Sequence, residues 1–509
     1  MSSETTVAQP AVPDTALYRT LILFTLTFVT MLYAMTVTIA NVSLPQMQGS
    51  LSATQDQIAW VVTFNIVATA VVTPTAGWLA AHLGRRRVMI IAVTGFGVAS
   101  ILCGLAGSVE ELVLYRIFQG AFGAPMVPLS QAILLDTYPK KKHNTVTAIW
   151  GVGVILGPIV APALGGILSE AYNWRWVFFM IVPFTLVALV GVLAFIRDPE
   201  ISRPGWMDWT GFLALAIAIA SFQVMLDRGE RNNWFESTEV LIEAGIALGA
   251  FWVFVTHTLT TDRSFLNRKL LKDRNFAIGL VIVLLFGMLN FTPITLLPTL
   301  LQDVQGYPDS IIGLVLSARG LGTFIGFGFM IVAGRLDPRI PMVVGFVLQG
   351  AAGYAMTQFD INVTMWDVLW NAGIQGLGVG LVWVPLSIIT FSTLAPKLVP
   401  DGTAFFHLLR NIGSSIHISL SVALVIRSSK VSYAGLAENV SPFNESFDLP
   451  WVRGLWGTET PRELGALSQE MARQATLMGY LDAFSFFWVT AALAVPLVFL
   501  VRWPRKEAA

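Results

Sequence analysis

The sequence predicts an all-α integral membrane protein of two six-helix bundles with two extra spans between them. Three observations predict it. Of 509 residues, 55% are hydrophobic and 12% charged, with a mean hydropathy of +0.69, the balance of a chain that sits mostly in lipid. Fourteen runs reach the roughly 20 apolar residues that a spanning helix needs. Short motifs of the second and fourth runs return, in the same order, in the tenth and twelfth.

The runs lie near 18–42, 58–80, 87–107, 112–135, 145–168, 175–196, 208–226, 239–260, 276–300, 310–333, 340–358, 366–391, 403–426 and 480–502. They divide the chain into a tail (1–17), an N-terminal bundle (18–200), two extra spans (201–262), a C-terminal bundle (263–502) and a short tail (503–509). The widest gap, 427–479, reads as a loop of mixed polarity within the last unit. The first tail has Glu4, Asp14, Pro10 and Pro13 and no basic stretch, so the first run reads as a retained span, not a cleaved signal. Placing both termini in the cytoplasm puts 20 of the 31 Lys and Arg on that side, as the positive-inside rule requires; the 427–479 loop then lies outside. The formal net charge of +0 gives no field that would attract nucleic acid. The single cysteine, Cys103, sits in an apolar run and reads as a small buried hydrophobe.

The repeat is carried by particular residues. Gly77 to Arg87 follows the second span as a glycine-bracketed basic turn, and Ala333 to Arg339 follows the tenth. Gln119-Gly120 with Gly123 in the fourth span is answered by Gln375-Gly376 with Gly378 and Gly380 in the twelfth. Internal repeats of this kind mark transporters whose halves rock about a midplane site. Gly77, Gly84, Arg85 and Arg86 then form a candidate clamp at the cytoplasmic face, echoed by Arg335 and Asp337, although positive-inside anchoring alone would also select such a turn. The fifth span, Gly151 to Gly166, lets helices touch backbone to backbone; Gly157, Pro158 and Gly165 are its candidate gating residues, the proline adding a break that plain packing does not need.

Three arginines lie inside spans: Arg116, Arg319 and Arg410. Such a cation is costly unless it faces protein or a watered cavity. In the thirteenth span Arg410, Gly413, Ser414 and His417 share one face, with His407 one turn earlier. Histidine titrates near physiological pH, so Arg116, His407, Arg410 and His417 are the candidates for proton coupling, against the alternative that the histidines only pack. Candidate cavity residues are Thr36, Thr38 and Asn41 in the first span, with Asn65, Gln119, Asn290, Arg319, Gln375 and Trp383 elsewhere. No nucleotide-binding loop, HExxH-type metal pair or nucleophile triad occurs, so neither cofactor, metal nor enzymatic activity is expected.

The motifs resemble those of the major facilitator superfamily, and within it the fourteen-helix drug:proton antiporters of the EmrB/QacA type. The resemblance runs through Thr38-Ile39-Ala40-Asn41-Val42, the Gly77 to Arg87 turn, Arg116 with Gln119-Gly120, Gly157-Pro158, Trp174-Arg175-Trp176, Leu226-Asp227-Arg228-Gly229 between the two extra spans, Arg319-Gly320 and Ser441-Pro442-Phe443-Asn444. It implies the major facilitator fold, alternating access and export of amphipathic or toxic compounds against inward-moving protons in the bacterial inner membrane. A periplasmic adaptor and an outer-membrane channel are implied partners where the host has an outer membrane, and a proton-transfer role is implied for Arg116. One departure stands out: the family's acid in the first span is Thr36 here, which cannot carry a proton. Two rival readings follow, an exporter of an endogenous lipid-like or secondary metabolite with altered coupling, and a membrane sensor or assembly platform that keeps the fold without transport.

Overall fold

The computed structural model describes residues 16–139, 143–197, 207–261, 268–332, 337–395, 398–441, 444–449, 452, 456–457 and 460–502. Fourteen helical rods fill it. In the N-terminal half these are α1 (Ala16–Val42), α2 (Gln55–Leu83), α3 (Arg85–Leu105), α4 (Val109–Thr137), α5 (His143–Ala171) and α6 (Arg175–Phe195). The extra pair is α7 (Trp209–Gly229) and α8 (Thr238–Thr260). The C-terminal half holds α9 (Arg274–Asp303), α10 (Asp309–Val332), α11 (Arg339–Met356), α12 (Met365–Phe391), α13 (Val399–Ala437) and α14 (Pro461–Val498). Thirteen are long and apolar enough to cross a membrane. The other, α11, opens on Arg339 and has 18 residues. The only described secondary structure is helical, as lipid demands of a chain that must satisfy every backbone group internally.

Helix starts follow local chemistry. Thr364 and Thr460 cap α12 and α14 with capping boxes closed by Asp367 and Glu463. Asp208 and Asp273 accept from the backbone amides of Gly211 and Phe276 to open α7 and α9.

Two expectations need correction. The 427–479 segment is mostly helix: α13 continues to Ala437 and α14 begins at Pro461. At 39 and 38 residues these helices measure almost 60 Å at about 1.5 Å per residue, twice the hydrocarbon thickness of about 30 Å. Their ends stand beyond the lipid, so their polar residues carry no hydropathy signal; the Tyr433 and Ser468 hydroxyls meet there at 2.9 Å. Likewise Leu226 to Gly229 lies inside α7, not between the extra spans.

The packing of the core defines the shape. At the face bearing the chain ends the cores are largely separate: Leu26, Val93 and Ile181 belong to one, and Phe286, Phe346 and Leu386 to the other, which also takes in Ala70 of α2 and Ala214 and Phe254 of the extra pair. At the opposite face one core joins both halves, bringing Val42 and Val61 of the N-terminal half together with Leu297, Leu316 and Ile418 of the C-terminal half. The halves therefore merge at the far face and part toward the termini.

Candidate substrate cavity and gates

A cavity of about 270 Å³ lies between the halves, on the termini side of the joint core. Its wall is mainly apolar and aromatic, with Tyr33, Phe286, Phe291 and Trp383 facing polar groups from both halves. Of the cavity residues expected from the sequence, Thr38, Asn65, Asn290, Arg319 and Trp383 line it, and so do His407 and Arg410. Thr36, Asn41, Gln119 and Gln375 do not. The Thr36 hydroxyl turns back to its own helix, donating to the Leu32 carbonyl at 2.9 Å. Asn41 is fully buried in the first span. The two glutamines face inward, each tying an arginine.

Those arginine–glutamine ties make the repeat concrete. In the N-terminal half Arg116 donates to Gln119 Oε1 at 2.5 Å and to the Val61 carbonyl at 3.0 Å, while Gln119 donates to Ser100 at 2.7 Å. Its guanidinium also sits 5.8 Å from the Phe178 ring centre. Arg116 is 1% exposed and lies off the cavity. In the C-terminal half Arg319 donates to Gln375 Oε1 at 2.5 Å and to the Asn290 carbonyl and side chain at 2.6 and 2.9 Å. The glycine after each glutamine packs on the second helix of its own half. A Cβ on Gly120 would lie 2.4 Å from the Asn65 carbonyl oxygen, and one on Gly376 only 1.9 Å from that of Arg319. Asn65 and Arg319 thus occupy matching places, and both face the cavity.

Arg410 lies over Trp383 with 5.2 Å to the ring centre and donates to Asn411 Oδ1 at 3.1 and 3.2 Å. His407 packs against the same tryptophan. Neither Arg319 nor Arg410 has a carboxylate partner among the described residues, and no described acidic residue lines the cavity. His417 is placed differently: it is fully buried off the cavity, stacked on Phe486 at 4.5 Å, its Nδ1 2.8 Å from the Thr292 hydroxyl and its Nε2 3.4 Å from Thr490.

The chain matches the Major Facilitator Superfamily over residues 26–417. It belongs to that superfamily. Within it, the chain is EmrB-like: it is 32% identical over 486 residues to the multidrug export protein EmrB of Escherichia coli K12, covering 94% of this chain and 93% of the relative. The multidrug resistance protein B homolog of Mycobacterium tuberculosis H37Rv is 30% identical over 93% of this chain and 87% of its own length. The fatty acid resistance protein FarB of Neisseria gonorrhoeae is 29% identical over 92% and 93%. Among solved structures, a bacterial homolog of the human lysosomal transporter Spinster, inward-facing and unoccupied, superposes with a TM-score of 0.63 at 18% identity, covering 97% of this chain and 100% of that one. The peptide transporter POT gives 0.61 at 16% identity, with 94% and 96% covered. These structures share the major facilitator fold.

In this member of the superfamily the glycines of α5 fit two neighbours at once. Gly153, Gly157 and Gly165 face α1, where a Cβ would meet Thr27, the Met31 carbonyl and Ile39. Across the gap between halves, Pro158 and Pro162 of α5 pack on Gly320 and Gly313 of α10, and Gly166 abuts the Asp309 carbonyl. At the far face Ser169 sits between Asp309, at 2.5 Å, and Gln46, at 2.8 Å, and the Ser310 amide donates to Glu170 at 3.2 Å. At the termini face Gly84 adopts φ +88°, ψ 145° between α2 and α3, a backbone shape reserved in practice for glycine. Arg85 pairs with Asp136 at the end of α4, and Arg86 donates to the Leu193 carbonyl of α6 at 2.9 Å. Both contacts stay inside the N-terminal half. Gly77 has open space around it. In the matching turn Asp337 accepts from the Arg339 amide at 3.0 Å; Arg335 lies outside the described residues.

Sequence reasoning missed two buried acids, Asp309 at the far face and Asp227. Asp227, on α7, is 8% exposed and accepts hydrogen bonds from Gln223 at 2.8 Å, Thr63 at 3.1 Å and Ser419. The signal that could have found it is the four-residue spacing from Gln223 to Asp227, which puts both on one helix face.

Proposed function

We propose that this chain exports amphipathic compounds from the bacterial inner membrane by proton-coupled alternating access, with both termini cytoplasmic. The observation that carries the reading is an apolar cavity between repeat-related halves that are sealed at one face only. With the termini inside, that cavity is the cytoplasm-side state of the cycle. The loop charges support this orientation, as do the names of the EmrB-like relatives, which are export and resistance proteins.

The lining refines the cargo. The charges facing the cavity are guanidinium groups, Arg319 and Arg410, in a wall of aromatic and apolar side chains. An amphipath with an acidic head would neutralise them and bury its tail; a cationic one would meet uncompensated repulsion. FarB is named for resistance to fatty acids, molecules of that shape. The same lining suits an endogenous lipid-like or secondary metabolite with an acidic head.

For the proton, Arg116, His407 and Arg410 are the proposed coupling groups, with His407 and Arg410 at the cavity and Arg116 behind Asn65, whose amide donates to the Arg116 carbonyl at 2.8 Å. His417 would act from inside the C-terminal half, through Thr292 and Thr490. Where the host has an outer membrane, a periplasmic adaptor and outer channel would receive the cargo. The test is efflux of a fluorescent amphipathic acid from proteoliposomes under an imposed ΔpH or Δψ. Export driven by ΔpH, slowed in His407→Ala, supports the reading. Binding without gradient-driven flux would favour a sensor or platform instead.

A further inference from the structure

The two seams between the halves are built differently. At one, α2 meets α13, and the extra helix α7 follows them from face to face. Near the termini Trp209 of α7 meets Trp78 of α2, with ring centres 5.7 Å apart. Farther along, Phe212, Ala216 and Ile219 of α7 close on Val71 and Pro74 of α2 and Leu408 of α13, leaving a void of about 10 Å³. Toward the far face Gln223 donates to Ser419 Oγ at 2.7 Å and accepts from the Ser415 hydroxyl at 2.7 Å, while Met225 and Leu226 pack by Ile416 and Leu420. A lipid tail has no way through on this side.

At the other seam α5 meets α10. The extra pair packs on α2 and α13, so among the described residues it gives this seam no second layer. From the far face to the middle of α5 the contact is tight. A Cβ on Gly313 would lie 2.3 Å from the Pro162 carbonyl oxygen, and one on Gly320 would lie 2.9 Å from Ile159 Cα. Toward the termini the two helices part. Gly151 stands about two turns before Pro158 and on the same face, yet no described atom would come within 4 Å of a Cβ there. About two turns past Gly320 on α10, Phe327 lines the cavity; Phe324, on the adjoining edge, is exposed. Leu156 and Val160 of α5 and Leu321 of α10 are exposed too, on the lipid side of the seam. Pro158, Gly320 and Thr323 line the cavity, so a single layer of side chains divides cavity from lipid here.

We propose that the α5–α10 seam is the port through which long-tailed amphipathic acids enter the cavity from the termini-side leaflet, and that α7 closes the opposite seam to them. The proposal rests on the export reading above and adds the route. The chemistry of such cargo puts it at that port. Each methylene favours lipid over water by about fourfold, so a long-tailed acid waits in the bilayer with its carboxylate among the headgroups. The gap opens in the half of the seam that faces that leaflet. Its walls are apolar, so a tail slides through without desolvating polar groups, while the head moves along the unsealed termini face toward Arg410 and Arg319. Phe324 and Phe327 stand at the edge of the opening. A port changes the rates of entry and exit in equal measure and leaves affinity alone.

The experiment follows binding kinetics to the full chain in lipid nanodiscs. The probes are two fluorescent carboxylic acids with one head, carrying a dodecyl or a butyl tail. Gly151→Trp fills the gap. It is expected to slow association and dissociation of the dodecyl acid alike, by about tenfold, with its Kd nearly unchanged and the butyl acid unaffected. Leu248→Trp, on the exposed face of α8, is expected to change neither acid. An unchanged dodecyl rate in Gly151→Trp overturns the proposal, and so does equal slowing of both acids. A dodecyl rate that falls in Phe212→Trp, on the α7 side, and not in Gly151→Trp also overturns it. Butyl binding reports folding. If Gly151→Trp fails to fold, nitroxides on Phe327→Cys and on Thr403→Cys, a cavity position on α13, decide the matter in a Cys103→Ala chain. Collision with dissolved oxygen, which gathers among lipid tails, is expected to be greater at Phe327→Cys; equal or lesser collision there overturns the port. Gradient-driven efflux from proteoliposomes is scored separately. Dodecyl entry through the seam without efflux sinks the export reading alone, and efflux with unchanged entry rates in Gly151→Trp sinks the port alone.

Discussion

The two halves solve the same packing problem with different charges. Each tucks a Gln-Gly pair against the second helix of its own bundle, through Gly120 on Asn65 and Gly376 on Arg319. Each glutamine grips a guanidinium at 2.5 Å. In the N-terminal half that guanidinium is Arg116, shut behind a neutral amide; in the C-terminal half it is Arg319, on the cavity wall. The repeat supplies the framework, and two paired positions, Asn65 against Arg319 and Arg116 against Ala372, decide whether the fixed charge steadies a bundle or faces the cargo.

The closest packing gives the largest expected effect. Gly376→Ala forces a Cβ against backbone at 1.9 Å and Gly120→Ala at 2.4 Å; overpacking of this kind costs about 1–3 kcal/mol. Thermal melts of purified protein should show both destabilised, Gly376→Ala more. Equal melts would mean that the halves are less tightly matched than their geometry indicates.

Next come the arginines. Arg319→Lys keeps the charge and loses the fork that reaches Gln375 and Asn290 together. Charge-assisted bonds of this type contribute about 1.5–3 kcal/mol, so export of acidic amphipaths should fall by about tenfold or more, with neutral cargo less affected. Arg116→Lys should slow all cargo alike, because Arg116 touches none of the cavity. Efflux rates for paired acidic and neutral substrates separate the two roles, and the same selectivity change in both variants would erase the distinction.

Smaller effects belong to the N-terminal clamp. Gly84→Ala places a side chain at φ +88°, a strain of about 1–2 kcal/mol. Arg85→Ala breaks an exposed pair with Asp136 and should cost under about 1 kcal/mol. Melting temperatures check both, and a larger loss in Arg85→Ala than in Gly84→Ala would reverse their order.

The spans, their pairing across the repeat and the cavity arginines were legible because each leaves a local mark: an apolar run, a recurring Gln-Gly, a charge inside lipid. Thr38, Asn65 and Asn290, read as cavity residues, line the cavity, and so do His407 and Arg410, which were read as proton-coupling candidates. Thr36 and Asn41 do not, since a threonine hydroxyl in a helix can satisfy itself on the preceding turn, as Thr36 does on Leu32, and no periodicity reports that choice. His417 shares the helix of Arg410 yet enters the bundle interior, because α13 is enclosed by α9 and α14 on one side and meets α2 and α7 on another. Asp227 was taken for a loop residue because hydropathy ends at Leu226 while the helix runs on to Gly229. The far ends of α13 and α14 were lost in the same way: helices that leave the membrane stop being apolar before they stop being helices.

The central claim is that cargo sits between the halves and is chosen by the arginines there. The direct measurement is binding of two amphipaths with the same apolar body, one ending in a carboxylate and one in an ammonium, to the wild type and to Arg319→Gln. The account predicts tighter binding of the acid by the wild type and a much smaller preference in Arg319→Gln. Equal affinities in the wild type, or a preference untouched by the substitution, would contradict it.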